Sequence, residues 1–270
     1  MELTMLGTGS ALVTECFNTC YVFEENDQYF LVDGGGGNEI LKRLKDNHID
    51  YRKIHDIMIT HKHIDHLLGI IWVMRLILQK MLAGQYEGEV YIYGHDEVIA
   101  LLHDLAFKLL TSKQTSLIGE RMHLVIVTNG KKKTIIGHEV TFFDIHSSKA
   151  KQFGYMMKLD EGKLVCCGDE PLNEVNAPYV DHAQWLLHEA FCLYKDKDIY
   201  KPYDKHHSTV KDAAMIAEKY HVENLLLYHT EDDHIIVRKE LYRDEAKQYY
   251  SGRLYIPDDN KTINRVEGRN

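Results

Sequence analysis

The sequence predicts an α/β sandwich of mixed sheets. Short apolar runs and amphipathic stretches alternate through both halves of the chain, and no Rossmann fingerprint accompanies them. Residues able to bind metals stand just past several apolar runs, where layered α/β folds usually carry their chemistry. With 270 residues, 44% of them hydrophobic, the chain can fill one core, so residues 1–270 are expected to form a single domain.

Leu3 to Leu6 reads as a strand followed by the turn Gly7-Thr8-Gly9-Ser10. Tyr21 to Glu24 and Tyr29 to Val32 read as a hairpin across Glu25-Asn26-Asp27-Gln28. Asp33-Gly34-Gly35-Gly36-Gly37 ends that strand before a helix containing Ile40, Leu41 and Leu44. The glycine run fits neither phosphate-binding pattern, so it reads as a tight turn permitting close backbone approach. Leu67 to Met81 and Asp96 to Leu110 have helical spacing, and Glu89 to Tyr93 has strand character. Thr111 to Arg121 is polar and irregular, a candidate loop over a site. His123 to Val127 and Val140 to Ile145 read as strands, with Asn129 to Lys133 as a hairpin tip between them.

The bulk numbers exclude several classes. The apolar stretch Ile70 to Met81 is interrupted by Arg75, Gln79 and Lys80, well short of a membrane span. The first residues lack a basic region and a long apolar core, so the expected location is the cytoplasm. Five cysteines form no disulfide framework, and Cys166 and Cys167 read as small buried hydrophobes on opposite faces of a strand. A net charge of −9 argues against a large nucleic-acid surface but leaves room for a local basic patch.

The run Thr60-His61-Lys62-His63-Ile64-Asp65-His66 carries the chemistry. It sets four ligand types, H-x-H-x-D-H, immediately after the apolar Ile57-Met58-Ile59. Three imidazoles and a carboxylate suit zinc, with manganese or iron also tolerated. Further ligand types follow later apolar runs: His146 after Val140 to Ile145, Asp169 after Leu164 to Gly168, and His229 after Leu225 to Tyr228.

These segments together resemble the metallo-β-lactamase superfamily, which implies a four-layer αββα sandwich with two mixed β-sheets and two divalent metal ions, zinc first among them. By that resemblance His61, His63 and His146 hold one metal, Asp65, His66 and His229 hold the other, and Asp169 bridges them. Asp33 would support the ligands from behind. His63, where redox members carry glutamate, favours hydrolysis, and Ile145-His146-Ser147-Ser148-Lys149 departs from the glyoxalase-like run. Two more segments, His188-Glu189-Ala190-Phe191 and His207-Ser208-Thr209, resemble paired motifs of the tRNase Z (ribonuclease Z) branch. The likeness runs from about residue 3 to about residue 230, leaving the rest without an assignment.

The resemblance implies a phosphodiesterase or endoribonuclease acting in RNA 3′-end processing, with a metal-bound hydroxide attacking phosphorus. Asp65 would orient the hydroxide, His207 would protonate the leaving oxygen, and Glu189 would hold the His207 ring. It also implies a phosphodiester substrate, RNA or a small nucleotide, and commonly a homodimer. Helix capping by Thr209 and Asp212 accounts for part of the second motif, but not for His207. Two departures favour a smaller substrate such as a cyclic nucleotide. Only Met156 to Val165 stands where bacterial enzymes insert the arm that grips tRNA, and the acidic Glu231-Asp232-Asp233 follows His229.

Overall fold

Two seven-stranded sheets follow the same plan, the first built from the first half of the chain plus the last strand and the second from the second half. The computed structural model describes residues 1–264 and Val266. The first half runs β1 (Glu2–Gly7), β2 (Cys20–Glu25), β3 (Gln28–Val32), α1 (Glu39–Asp46), β4 (Ile54–Met58), α2 (Ile64–Leu82), β5 (Val90–Gly94), α3 (Asp96–Leu109), α4 (Ser112–Thr115) and β6 (Met122–Ile126). The second runs β7 (Lys132–Ile135), β8 (His138–Asp144), β9 (Phe153–Leu159), β10 (Gly162–Cys166), α5 (Ala177–Val180), β11 (Trp185–Glu189), α6 (Lys197–Tyr200), α7 (Val210–Lys219), β12 (Asn224–Tyr228), α8 (Arg238–Ala246), β13 (Arg253–Tyr255) and β14 (Lys261–Ile263).

The sheet orders are β14-β1-β2-β3-β4-β5-β6 and β13-β12-β11-β10-β9-β8-β7. In each, antiparallel strands give way to parallel ones, beginning at β3–β4 in the first sheet and β10–β11 in the second. The last strand, β14, crosses back to pair antiparallel with β1.

Alternation along the strands sorts side chains into three cores. Between the sheets lie Met5, Tyr21, Phe23 and Phe30, facing Phe142, Tyr155, Leu187 and Tyr228. Outside the first sheet, Leu31, Ile57 and Ile92 pack against Ile70, Met74 and Ile77 of α2. Outside the second, Leu186, Leu225 and Leu227 pack against Ala213, Ala214 and Ala217 of α7. The result is the four-layer αββα sandwich that the resemblance implies. Cys166 enters the inter-sheet core and Cys167 the outer one, as strand alternation requires.

The structure revises three local readings. Helix α2 begins at Ile64 and not at Leu67, so Asp65 and His66 sit in its first turn. His63 is the extended N-cap, and its carbonyl accepts from the amides of His66 and Leu67. The polar segment after α3 is not a cover over the site. Thr111 and Gln114 form a capping box that starts α4, Gln114 is buried, and its side-chain amide donates to the Arg75 carbonyl of α2. Asn129 to Lys131 is the crossover between the two sheets, while the hairpin turn lies at Ile136-Gly137, between β7 and β8.

The glycine run after β3 packs straight onto α2. The Gly34 amide donates to His66 O, and the Gly69 amide donates to Gly35 O, each at 2.8 Å. A Cβ on Gly69 would meet the Gly34 carbonyl oxygen at 1.7 Å, and both contacting groups are backbone. Gly69→Ala is therefore expected to destabilise the fold by about 1–3 kcal/mol, the range for overpacking. Chemical denaturation should show a lowered midpoint; an unchanged one would mean that the helix slides freely on the loop.

Candidate metal centre

The ligand-bearing segments meet at one end of the sandwich, at the ends of β4, β10 and β12. His61 and His63 follow β4, Asp65 and His66 open α2, Asp169 follows β10, and His229 follows β12. Three groups form, each with potential ligand atoms within 4.8 Å of one another: His61, His63 and Asp169; Asp65, His66 and His229; Asp169, His207 and His229. Asp169 Oδ2 lies 3.5 Å from His61 Nε2, 3.7 Å from His66 Nε2 and 3.6 Å from His229 Nε2. That carboxylate joins the groups. Asp65 Oδ2 stands 3.4 Å from His66 Nε2 and 3.6 Å from His229 Nε2.

These spacings suit a metal. Two ligand atoms held tetrahedrally on zinc at its usual bond lengths lie about 3.4 Å apart. The nitrogens His66 Nε2 and His229 Nε2 and the oxygen Asp169 Oδ1 are buried without a hydrogen-bond partner among the described residues. Buried polar atoms rarely go unpaired, so three converging orphans mark a place for a cation. The first group is less open, because His61 Nε2 and His63 Nδ1 contact each other at 2.7 Å. Burial lowers the pKa of both imidazoles, keeping them neutral, the form that offers a lone pair. For Asp65 and Asp169, burial alone would raise the carboxyl. The neighbouring histidines, His66 and His229 at Asp65 with His61 also at Asp169, outweigh it and hold both groups well below the usual carboxylate range.

Asp33 braces the cluster from behind. Its Oδ1 accepts from the Thr60 amide at 2.8 Å, and its Oδ2 accepts from the Thr60 hydroxyl at 2.7 Å and faces His66 Nδ1 at 2.8 Å. The Thr60 hydroxyl also lies 3.0 Å from His61 Nδ1. One carboxylate thus orients a histidine in each of two groups. Removing such a partner typically costs 10–100-fold in metal affinity. Asp33→Ala should weaken zinc binding by about that factor, measured by competition with a chromophoric chelator; unaltered affinity would reduce Asp33 to a turn residue.

His146 is the exception among the predicted ligands. It is exposed and belongs to none of the three groups. Its backbone is left-handed, with φ of 60°, and its amide donates to Asp144 Oδ1. The loop beyond is pinned elsewhere, by Ser147 Oγ donating to Glu170 Oε1 at 2.6 Å and by a 2.7 Å contact between Ser148 Oγ and His206 Nδ1. A histidine placed after a strand says nothing about how the next loop is tied down.

His207 and Glu189 come together, although by a different bond from the one expected. His207 Nδ1 lies 3.6 Å from Glu189 Oε2, too far for a hydrogen bond, and both atoms are buried with no other partner among the described residues. The other carboxylate oxygen is taken by Ser208, through its amide and through its hydroxyl at 2.6 Å. Ser208 is the link between the two motifs. Burial works against a charge on His207, but Glu189 and then Asp169 outweigh it and raise the imidazole pKa. The ring stacks on Phe191 at 5.0 Å and lies 5.2 Å from the His229 ring.

Sequence reasoning missed two supports of Asp169. Gln152 Oε1 accepts the Asp169 amide at 2.8 Å, and the Tyr228 hydroxyl donates to the carbonyl of Gly168. Tyr228 ends a buried polar chain through Cys166 Sγ at 3.4 Å to Tyr21 at 3.1 Å and on to Tyr155 at 3.1 Å. Local sequence around a lone glutamine or tyrosine carries no sign of such partners.

A cavity of about 850 Å³ opens over the cluster. Lys149 and Lys205 line it together with the acidic Glu231, Asp232 and Asp233. The acids are engaged within the protein. Glu231 accepts from Tyr242 and faces His234, Asp232 Oδ2 accepts the amides of Thr14 and Glu15, and Asp233 accepts the Tyr200 hydroxyl.

Known proteins share this architecture. The metallo-β-lactamase fold protein YhfI of Bacillus subtilis superposes with a TM-score of 0.79 at 21% identity, over 97% of this chain and 98% of its own. Human short-form tRNase Z does so with a TM-score of 0.71 at 18% identity, over 97% and 98%. Ribonuclease Z of Bacteroides fragilis is 24% identical over 289 aligned residues, covering 88% of this chain and 92% of the relative. The chain thus has the metallo-β-lactamase fold. The family model described as anti-Pycsar protein Apyc1 matches residues 1–246, from the first strand to the end of α8, and the chain belongs to that family.

Proposed function

We propose that this protein hydrolyses a small phosphodiester of the cyclic-nucleotide class, using two divalent ions, zinc first among them. The short β9–β10 hairpin carries the choice of substrate. Its turn is only Asp160-Glu161, where the resembling bacterial enzymes place an arm for tRNA. The acidic residues lining the cavity also disfavour a long polyanion, and Lys149 and Lys205 are partners for a single phosphoryl group.

His61, His63 and Asp169 would hold one ion, and Asp65, His66, His229 and Asp169 the other, with His146 joining the first by an inward shift of its loop. Such a pair lowers the pKa of water and polarises a phosphoryl oxygen. Asp65, on the cavity wall, orients the attacking water and accepts its proton. His207 turns Nδ1 towards Glu189, which leaves Nε2 to protonate the leaving oxygen as the phosphorus–oxygen bond breaks. Water supplies the oxygen of the new bond, and the product is a phosphomonoester.

RNA 3′-end processing is the second reading, supported by the paired His188-Glu189-Ala190 and His207-Ser208-Thr209 motifs and by relatives named ribonuclease Z. Assays with purified protein under zinc or manganese should show turnover of cyclic nucleotides and of bis(p-nitrophenyl) phosphate, and little or none of precursor tRNA. Cleavage of precursor tRNA alone would transfer the assignment to RNA. No cleavage of any of the three would remove the enzyme reading. Location in the cytoplasm belongs to the same proposal; no described helix is long and apolar enough to cross a membrane.

A further inference from the structure

We infer that Asp181, His182 and His221 form a separate site for one transition-metal ion at the opposite end of the second sheet. Their ligand atoms lie within 4.8 Å of one another, the same criterion met by the groups of the metal centre. The place is set by topology. Asp181 and His182 precede β11 and His221 precedes β12, two neighbouring parallel strands, whereas Glu189 and His229 stand at or just past the far ends of the same strands. Five strand residues span about 16 Å, so the two sites share no ligand.

The two loops that carry the ligands are already fastened to each other. The His182 amide donates to Tyr220 O at 2.8 Å, and the Glu223 amide donates to Ala183 O at 3.0 Å. Those bonds hold the imidazole rings 4.8 Å apart, tilted by 43°. One carboxylate oxygen serves both rings: Asp181 Oδ1 is 3.0 Å from His182 Nδ1 and 4.0 Å from His221 Nδ1. These distances bracket the ligand spacing of about 3.4 Å around a tetrahedral zinc. All three side chains are more than half exposed, so small rotations suffice to close on an ion.

Two imidazoles with one carboxylate select zinc, nickel or copper over the oxygen-seeking magnesium and calcium. Bound there, the ion ties together the loops entering β11 and β12, and water fills its remaining position. Its contribution is to the stability of that end of the sheet and not to turnover.

Counting zinc in protein stripped of metal and equilibrated at low micromolar free zinc tests the inference. Wild type should bind one equivalent more than His182→Ala/His221→Ala, and the Asp169→Ala protein should keep that equivalent. Zinc should also raise the thermal midpoint of the Asp169→Ala protein, and adding the two alanine substitutions should abolish the shift. Equal zinc content in wild type and the double variant would overturn the site, as would an unshifted midpoint in Asp169→Ala. The difference of one equivalent holds whether or not the paired centre binds as proposed, so failure of either idea is read separately.

Discussion

Replacing His207 with alanine should lower kcat by about 10²–10⁴-fold on a substrate with an alkoxide leaving group, the usual worth of a general acid. Zinc content should stay at the wild-type value, because the ligand set remains intact. His207 has the attributes of a proton donor: it is nearly buried, it lines the cavity, and Glu189 favours its charged form. The leaving group supplies an internal control. A p-nitrophenolate departs readily without a proton, so the loss on bis(p-nitrophenyl) phosphate should be much smaller. Equal losses on both substrates would assign His207 to binding and not to proton transfer. Steady-state kinetics with the two substrates, beside elemental analysis, decides it.

Asp169→Ala should have the larger effect on the centre itself. Its Oδ2 is the atom common to the spacings of 3.5–3.7 Å around His61, His66 and His229, so its loss takes a ligand from both ion positions. Losing a mere supporting partner costs about 10–100-fold in affinity, and losing the shared ligand should exceed that for each ion. The variant should purify without the paired ions and show no measurable turnover under conditions that saturate wild type. Retention of both ions would show that Asp169 only lines the cavity.

Much of this was legible in the sequence because it is written in local order. Hydrophobic alternation marked the strands, and ligand types at the ends of apolar runs marked His61, His63, Asp65, His66, Asp169 and His229, which the fold brings together. What escaped depends on distant partners. The buried Gln114 turns Thr111 to Arg121 into a packed helix start, and sheet exchange after β6 makes a crossover out of an apparent hairpin tip. The outward His146 is decided by Glu170 and His206, far away in sequence. The fold brings Glu189 near His207, but its closest bonds go to Ser208, a link that neither motif announces on its own.

The twin plan of the two sheets has a bearing on assembly. Four of the six clustered ligands come from the first half of the chain and two from the second, with the proposed proton donor also in the second. Neither half owns a working centre, so ions captured across the seam would weld two similar leaves into one body. Affinity for the cation and adhesion between the leaves then rise and fall together.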